Sequence, residues 1–119
     1  DYSASKAVGA ELGMLAANKD KIAGKDAAVQ LFVSAYVKEM KALEASPAAF
    51  GTAIQKLTGL DAEISNRIAA TIKLGPVVTP DQLKRQAKAF NELGVITKDV
   101  SGEIDAAWNG SYLAKALKP

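Results

Sequence analysis

Apolar residues recur at three- and four-residue steps after Asp26, which is the pattern of an amphipathic helix. Asp26 is placed to cap the start of this helix. Ser46 and Pro47 are expected to end it and to begin the next helix, because Ser caps well and Pro suits a first helical turn. The repeating residues are Val29, Phe32, Val33, Tyr36, Val37, Met40 and Leu43.

Two further helices are predicted between Pro47 and Gly75. Thr58 and Gly59 close the first of them, since glycine readily adopts the left-handed conformation that ends a helix. Asp61 caps the second, and Gly75 with Pro76 is expected to break it. The apolar residues on the faces of these helices are Phe50, Ile54, Leu57, Ile64, Ile68 and Ile72.

The stretch from Gly75 to Ser101 contains the clearest predicted helix start. Thr79, Pro80 and Gln82 stand in the order of a capping box with a proline at the first helical position. Gly94 is the expected stop. The predicted buried face of this helix consists of Leu83, Ala87, Phe90 and Leu93.

The remaining C-terminal residues predict short elements. Ser101 is placed to cap a turn of helix that runs through Trp108, and Asn109 with Gly110 is typical of a turn. One last short helix is expected over residues 111–118.

Residues 10–17 are compatible with either a strand or a helix. Leu12, Met14 and Ala16 alternate with other residues as they would in a strand, whereas Ala, Glu, Leu and Met favour helix. A single strand would need partners for its backbone groups. We therefore predict a mainly α fold of five or so helices, with at most one or two short strands near Leu12 to Ala17.

The length and charge of the chain narrow the range of functions. At 119 residues it is expected to form a single unit, residues 1–119. Its net charge of +2 is spread along the sequence, which disfavours nucleic-acid binding. No apolar run is long enough to cross a bilayer. The chain begins at Asp1 without Met or a signal sequence, so we expect a mature, truncated or proteolysed product.

Few residues in the sequence are suited to catalysis. The chain has no histidine and no cysteine, which excludes histidine bases, thiolate nucleophiles and most transition-metal sites. Asp61 and Glu63 are expected to act as helix-start carboxylates, not as a catalytic pair. No glycine-rich loop precedes a helix in phosphate-binding order. We therefore expect no enzyme activity, no metal and no cofactor.

Other side chains of interest also have ordinary structural interpretations. A basic cluster of Lys84, Arg85 and Lys88 is expected to be a solvated helix face. Aromatic residues at helical spacing are usually core, and Trp108 is expected to anchor the C-terminal segment. The aromatic residues predicted to be core are Phe32, Tyr36 and Phe50.

Several segments, read in order, resemble periplasmic solute-binding proteins of the nitrate, sulfonate and taurine class. An apolar segment ends in Ala-Asn at Ala17 and Asn18, and "TGLD" with a later Glu stands at residues 58–63. The family pattern "TP..L..QA..F.ELG.I" is matched from Thr79 to Ile96. The tail from Trp108 is similar to "W....YL.KAL", with one residue fewer between Trp108 and Tyr112. The helix pattern "V..F..AY.K" is matched by Val29, Phe32, Ala35, Tyr36 and Lys38.

The resemblance implies a place in a larger protein. The family fold is a two-lobed α/β periplasmic-binding-protein fold of type II, and this chain is similar to its C-terminal part. The implied function is capture of a small solute, such as nitrate, a sulfonate or taurine, outside the inner membrane and its delivery to an ABC permease. The implied location is periplasmic or extracellular, and the implied ligand-binding residues are Ser5, Lys6 and Glu11.

An alternative is a free-standing helical module that binds a partner protein through its apolar faces. A third possibility, an enzyme with a carboxylate-only site, has little support. A piece of a larger fold is expected to expose apolar surface, so we also predict self-association or a complex with the rest of its own polypeptide. A clean monomer would favour the free-standing module.

Overall fold

The structure, a computed structural model, describes residues 13–75 and 78–118. Helix accounts for 69% of these residues, and none of them lies in a strand. The prediction of a mainly α chain is therefore confirmed. The sequence pattern was compatible with either a strand or a helix at residues 13–17, and the structure forms neither there. Leu12 lies outside the described residues.

The chain divides into two compact units. The first draws its described residues from 13–23 and 78–110, and the second draws them from 24–75 and 111–118. The expectation of a single unit over residues 1–119 stays a prediction. Each unit is described by itself below.

The second unit contains four helices. They are α2 (Asp26–Ala45), α3 (Pro47–Thr58), α4 (Ala62–Thr71) and α7 (Ser111–Ala116). The longest, α2, contacts both α7 and α3, while α3 and α4 form the most extensive helix pair of the described residues. The unit is thus a chain of helix pairs in which α7, from the end of the sequence, returns to α2.

The helix starts and stops of this unit follow local chemistry. Pro47 begins α3 as predicted, and Gly59 closes it with a φ of 74°. The Asp61 carboxylate caps α4 by accepting a hydrogen bond from the Ile64 backbone N–H at 2.8 Å. Asp26 does not cap α2: Lys25 occupies that position without a side-chain cap, and Asp26 is the first helical residue. The Asp26 carboxylate instead binds a distant partner, described below.

The end of α4 differs from the prediction. The helix stops at Thr71, and Ile72 is already extended, so the break comes before Gly75 and Pro76. The Thr71 hydroxyl donates to the Ile68 carbonyl at 2.8 Å, which satisfies one of the carbonyl groups that the last turn leaves without a helical partner.

The first unit is organised by α5 (Pro80–Glu92). The capping box is confirmed: the Thr79 N–H donates to Gln82 Oε1 at 2.8 Å, and the Gln82 N–H donates to Thr79 Oγ1 at 3.3 Å. Leu83 and Ala87 are buried as predicted, together with Gln86 and Ala89. The predicted burial of Leu93 is wrong, because it is the C-cap residue and 69% of its surface is exposed.

Three short elements complete the first unit. They are α1 (Lys19–Ile22), a 3₁₀ helix (Ser101–Glu103) and α6 (Ile104–Ala107). Asn18 caps α1 by accepting from the N–H groups of Asp20 and Lys21. The prediction that Ser101 caps its segment is wrong: Val100 occupies the cap position, and the Ser101 N–H donates to the Asp99 carboxylate at 2.8 Å.

The helix α2 carries apolar residues on two sides. Val37 is 98% buried, in agreement with its predicted core position. The prediction that Phe32 and Tyr36 are core is wrong: 59% of the surface of Phe32 is exposed, and Tyr36 is exposed as well. Their rings stack with centroids 6.4 Å apart on the outside of the helix. A helix with apolar residues on two sides has more than one possible buried face. Periodicity therefore assigned these two residues to the core, although they lie on the exposed side.

Gly51 permits the close approach of α3 and α4. A Cβ atom on Gly51 would lie 2.0 Å from Asn66 Oδ1 and 3.3 Å from the Asn66 Cα atom. The first atom can swing away, but the second belongs to the backbone of α4. Any side chain at this position would therefore push the two helices apart.

We predict that Gly51→Ala lowers the free energy of unfolding by about 1 kcal/mol, since overpacking costs about 1–3 kcal/mol and the gain in helix propensity offsets about 1 kcal/mol. Chemical denaturation followed by circular dichroism measures the change. Gly75→Ala is the matched control, because nothing lies within 4 Å of its added Cβ. A Gly51→Ala variant as stable as the control would contradict the close packing.

Candidate functional site

The three residues predicted to bind a ligand, Ser5, Lys6 and Glu11, lie outside the described residues. The structure therefore neither brings them together nor separates them. Asp61, weighed above as a catalytic carboxylate, serves as a helix cap. The functional features of the described residues are a groove, a set of ion pairs, a polar junction and an exposed apolar surface.

The groove lies in the second unit, where the end of α2 meets α3 and the residues after α4. It has a volume of 250 Å³. Its charged lining residues are Glu44 and Lys73, of opposite sign. Ligand sites usually add several convergent polar groups to an apolar lining, and this groove has few. The other lining residues are Leu43, Pro47, Phe50, Ala69, Ile72 and Leu74.

Two of the three basic residues of α5, Lys84 and Lys88, lie near carboxylates. Lys84 Nζ lies 2.7 Å from the Asp105 carboxylate and 3.8 Å from that of Asp81, and the hydrogen bond to Asp105 raises the pKa of Lys84. The Ser101 N–H lowers the pKa of Asp99, with a smaller contribution from Lys88. The carboxylates offset the positive charge of Lys84 and part of that of Lys88. This supports the interpretation of the predicted basic cluster as a solvated helix face. A nucleic-acid site would need unpaired positive charge on one face.

A second ion pair follows α5 in the sequence. Lys98 Nζ lies 2.5 Å from Glu103 Oε1, and this hydrogen bond raises the pKa of Lys98. Both side chains are mostly exposed, so the pair fixes a turn locally and adds little to stability.

The polar junction joins α7 to the start of α2. The Tyr112 hydroxyl donates to Asp26 Oδ1 at 2.6 Å, and Gln30 Nε2 donates to the Tyr112 backbone carbonyl at 3.1 Å. Gln30 Nε2 also lies 3.2 Å from Ser34 Oγ, whereas Gln30 Oε1 is buried without a partner. The hydrogen bond to Asp26 raises the pKa of Tyr112. This junction is the polar part of the α2 and α7 interface.

The exposed apolar surface lies on the other side of α2. Its residues are spaced at three and four positions, so they form one continuous patch, here called the α2 stripe. Leu31 and Phe32 are its most exposed large members, with 73% and 59% of their surfaces exposed. The stripe consists of Ala28, Leu31, Phe32, Ala35 and Tyr36. Exposed apolar patches of this kind often mark interaction surfaces.

The part of the chain that the structure describes contains neither a candidate metal site nor a candidate membrane span. Among the described residues, no group of three or more His, Cys, Asp or Glu side chains is placed to hold a metal ion. No helix in residues 13–75 and 78–118 is long and apolar enough to cross a membrane.

Comparisons with known proteins identify no family. The chain matches no protein-family model, no curated protein and no solved structure. The resemblance to solute-binding proteins therefore remains an expectation.

Sequence reasoning missed two features of α2. Leu31 lies outside the three- and four-residue series that predicted the buried face, although its spacing from Ala28 and Ala35 places it on a second face. The bond between Tyr112 and Asp26 spans 86 residues, and no local pattern indicates a contact at that distance.

We predict that Tyr112 ionises at higher pH than an ordinary tyrosine, because ionisation breaks its bond to the Asp26 carboxylate. A raised folded-state pKa gives stability that is present below the unfolded pKa, about 10, and is lost as pH rises through the folded pKa. Ultraviolet titration of the three tyrosines should show a late step that Tyr112→Phe removes. The control Tyr36→Phe should retain that step. Retention of the late step in Tyr112→Phe would contradict the assignment.

Proposed function

We propose that this chain is the helical C-terminal part of the substrate-binding protein of an ABC transporter. The whole protein would capture a small solute such as nitrate, a sulfonate or taurine and deliver it to a membrane permease. The location would be periplasmic or extracellular. The helices described here would serve as scaffold for a binding cleft and would carry out no reaction.

The observation that carries this proposal is the ordered set of segments that resemble the family. Two of these segments coincide with helix boundaries. In the segment "TGLD", Gly59 takes the left-handed conformation that ends α3, and Asp61 caps α4. In the segment "TP..L..QA", Thr79 caps α5, and Ala87 is buried. Residues that set helix ends are those that a shared scaffold would need, and this supports the resemblance.

The distribution of polar groups also supports a scaffold role. The described polar side chains discussed above act as caps, ion pairs and the α2 and α7 junction. The 250 Å³ groove is mainly apolar and has one charge of each sign, a poor match to nitrate or a sulfonate, which carry negative charge. The proposed ligand contacts, Ser5, Lys6 and Glu11, belong to another part of the chain.

The free-standing interaction module remains the second candidate. The α2 stripe favours it, since the stripe is a continuous apolar surface whose exposure a partner protein would remove. Solute binding distinguishes the two candidates directly.

We predict that the 119-residue chain alone binds nitrate, taurine and alkanesulfonates negligibly, because a cleft ligand is held by two lobes that close around it. The product of the complete open reading frame should bind one of these solutes at micromolar concentrations. Isothermal titration calorimetry on both proteins makes the comparison. The proposal fails if the complete product binds none of the solutes, or if residues 1–119 bind one by themselves.

The predicted ligand residues can be tested in the complete product. Lys6→Ala should weaken the binding of an anionic solute by roughly tenfold, since a charge-assisted hydrogen bond contributes more than a neutral one. Lys56→Ala is the matched control, because Lys56 is an exposed lysine in the last turn of α3. Equal effects of the two substitutions would remove Lys6 from the proposed site.

A further inference from the structure

The α2 stripe continues into two charged residues at its ends. Lys25 precedes the first turn of α2, and Glu39 lies two turns beyond Phe32. At 3.6 residues per turn, both side chains project from the same side of the helix as Phe32. Both are exposed, and neither takes part in an ion pair recorded within residues 13–75 and 78–118.

The stripe is complementary to itself when it is reversed about Phe32. Lys25 and Glu39 lie at equal distances, seven residues, on either side of Phe32. Ala28 lies four residues before Phe32 and Ala35 three residues after it, on the same flank of the stripe. In an antiparallel pair of α2 helices centred on Phe32, each Lys25 would therefore face a Glu39, and each small Ala28 would face an Ala35.

The spacing also suits two helices packed side by side. Positions 25, 28, 32, 35 and 39 alternate steps of three and four residues, which is the spacing of the contact seam in paired helices. Small residues at 28 and 35 permit the axes to approach closely, and the large Phe32 lies between them. Leu31 and Tyr36 flank the seam and would be covered at its edges.

We propose that two copies of this chain associate through the α2 stripe, as an antiparallel helix pair with Phe32 on the twofold axis. The interface is isologous, since each copy uses the same surface. A parallel pair is disfavoured by the same residues: it would place Lys25 against Lys25 and Glu39 against Glu39, and like charges repel. This association is independent of the proposed transport function and uses none of the proposed ligand residues.

The opposite side of α2 is already occupied within the unit. Val37 is buried there, and Asp26 and Gln30 bind α7. Because the stripe residues are largely exposed, changing them should leave the folding of a single copy intact. Association and folding can therefore be measured separately.

Charge reversal tests the register. In sedimentation equilibrium at low salt, Lys25→Glu alone should raise the dimer dissociation constant by roughly tenfold, because it turns two attractive pairs into two repulsive ones. Glu39→Lys alone should do the same, and the double variant K25E/E39K should restore the original value. Lys41→Glu, at an exposed residue on the side of α2 opposite Phe32, is the control for net charge and should have a smaller effect.

Several results overturn the proposal. A wild-type chain that stays monomeric across micromolar concentrations overturns it, as does a dimer whose dissociation constant neither single reversal changes. So does a double variant that fails to recover, or a Lys41→Glu effect as large as that of Lys25→Glu. Circular dichroism of each variant should match the wild type.

Disulfide trapping tests the orientation, and the chain has no cysteine to interfere. Ala28→Cys and Ala35→Cys proteins should crosslink on oxidation when mixed and crosslink far less when kept apart, because position 28 faces position 35 only in the antiparallel pair. Crosslinking of each variant with itself, and none in the mixture, would show a parallel pair and overturn the proposal.

Discussion

The docking of α7 on α2 closes the second unit of the chain. This contact brings together residues 82 and 86 positions apart in the sequence, through the bonds of Tyr112 to Gln30 and Asp26. Closing so long a loop costs conformational entropy, which the buried contacts of α2 must offset. Val37 supplies apolar burial on this side of α2, and the Tyr112 hydroxyl supplies a short bond to a carboxylate at the start of the helix.

The position of α7 determines which residues of α2 remain outside. Apolar side chains occur around most of the helix, so sequence alone allows more than one buried face. Once α7 and α3 cover the side with Val37, the opposite side with Leu31 and Phe32 is left in contact with solvent. The interaction-module candidate uses this outcome, since such a module contacts its partner through exposed apolar surface.

Sequence reasoning succeeded where the determining interactions are local. The capping box of α5 joins Thr79 and Gln82, three residues apart, and the cap of α4 joins Asp61 to Ile64. Such bonds form between near neighbours whatever the rest of the chain does, so patterns of a few residues predict them. The buried face of α2 depends instead on its contact with α7, which periodicity does not reveal, and α4 ends at Thr71, before the Gly75 and Pro76 from which its end was predicted.

The candidate site was less predictable than the fold. Ser5, Lys6 and Glu11 were inferred from resemblance, and they lie outside the described residues, so their role stays a prediction. The α2 stripe emerged only when exposure was known, because Phe32 and Tyr36 fit a core series equally well by spacing. Where a helix is apolar on two sides, tertiary contacts decide which side becomes a surface.

The central claim is that α7 holds α2 in place. Hydrogen exchange measured by mass spectrometry on the 119-residue chain and on a version ending at Gly110 tests it most directly. The account predicts faster exchange in the first half of α2 when α7 is removed, with the α3 and α4 pair unchanged. Unchanged exchange in α2 would contradict the account, since it would show that α2 is held without α7.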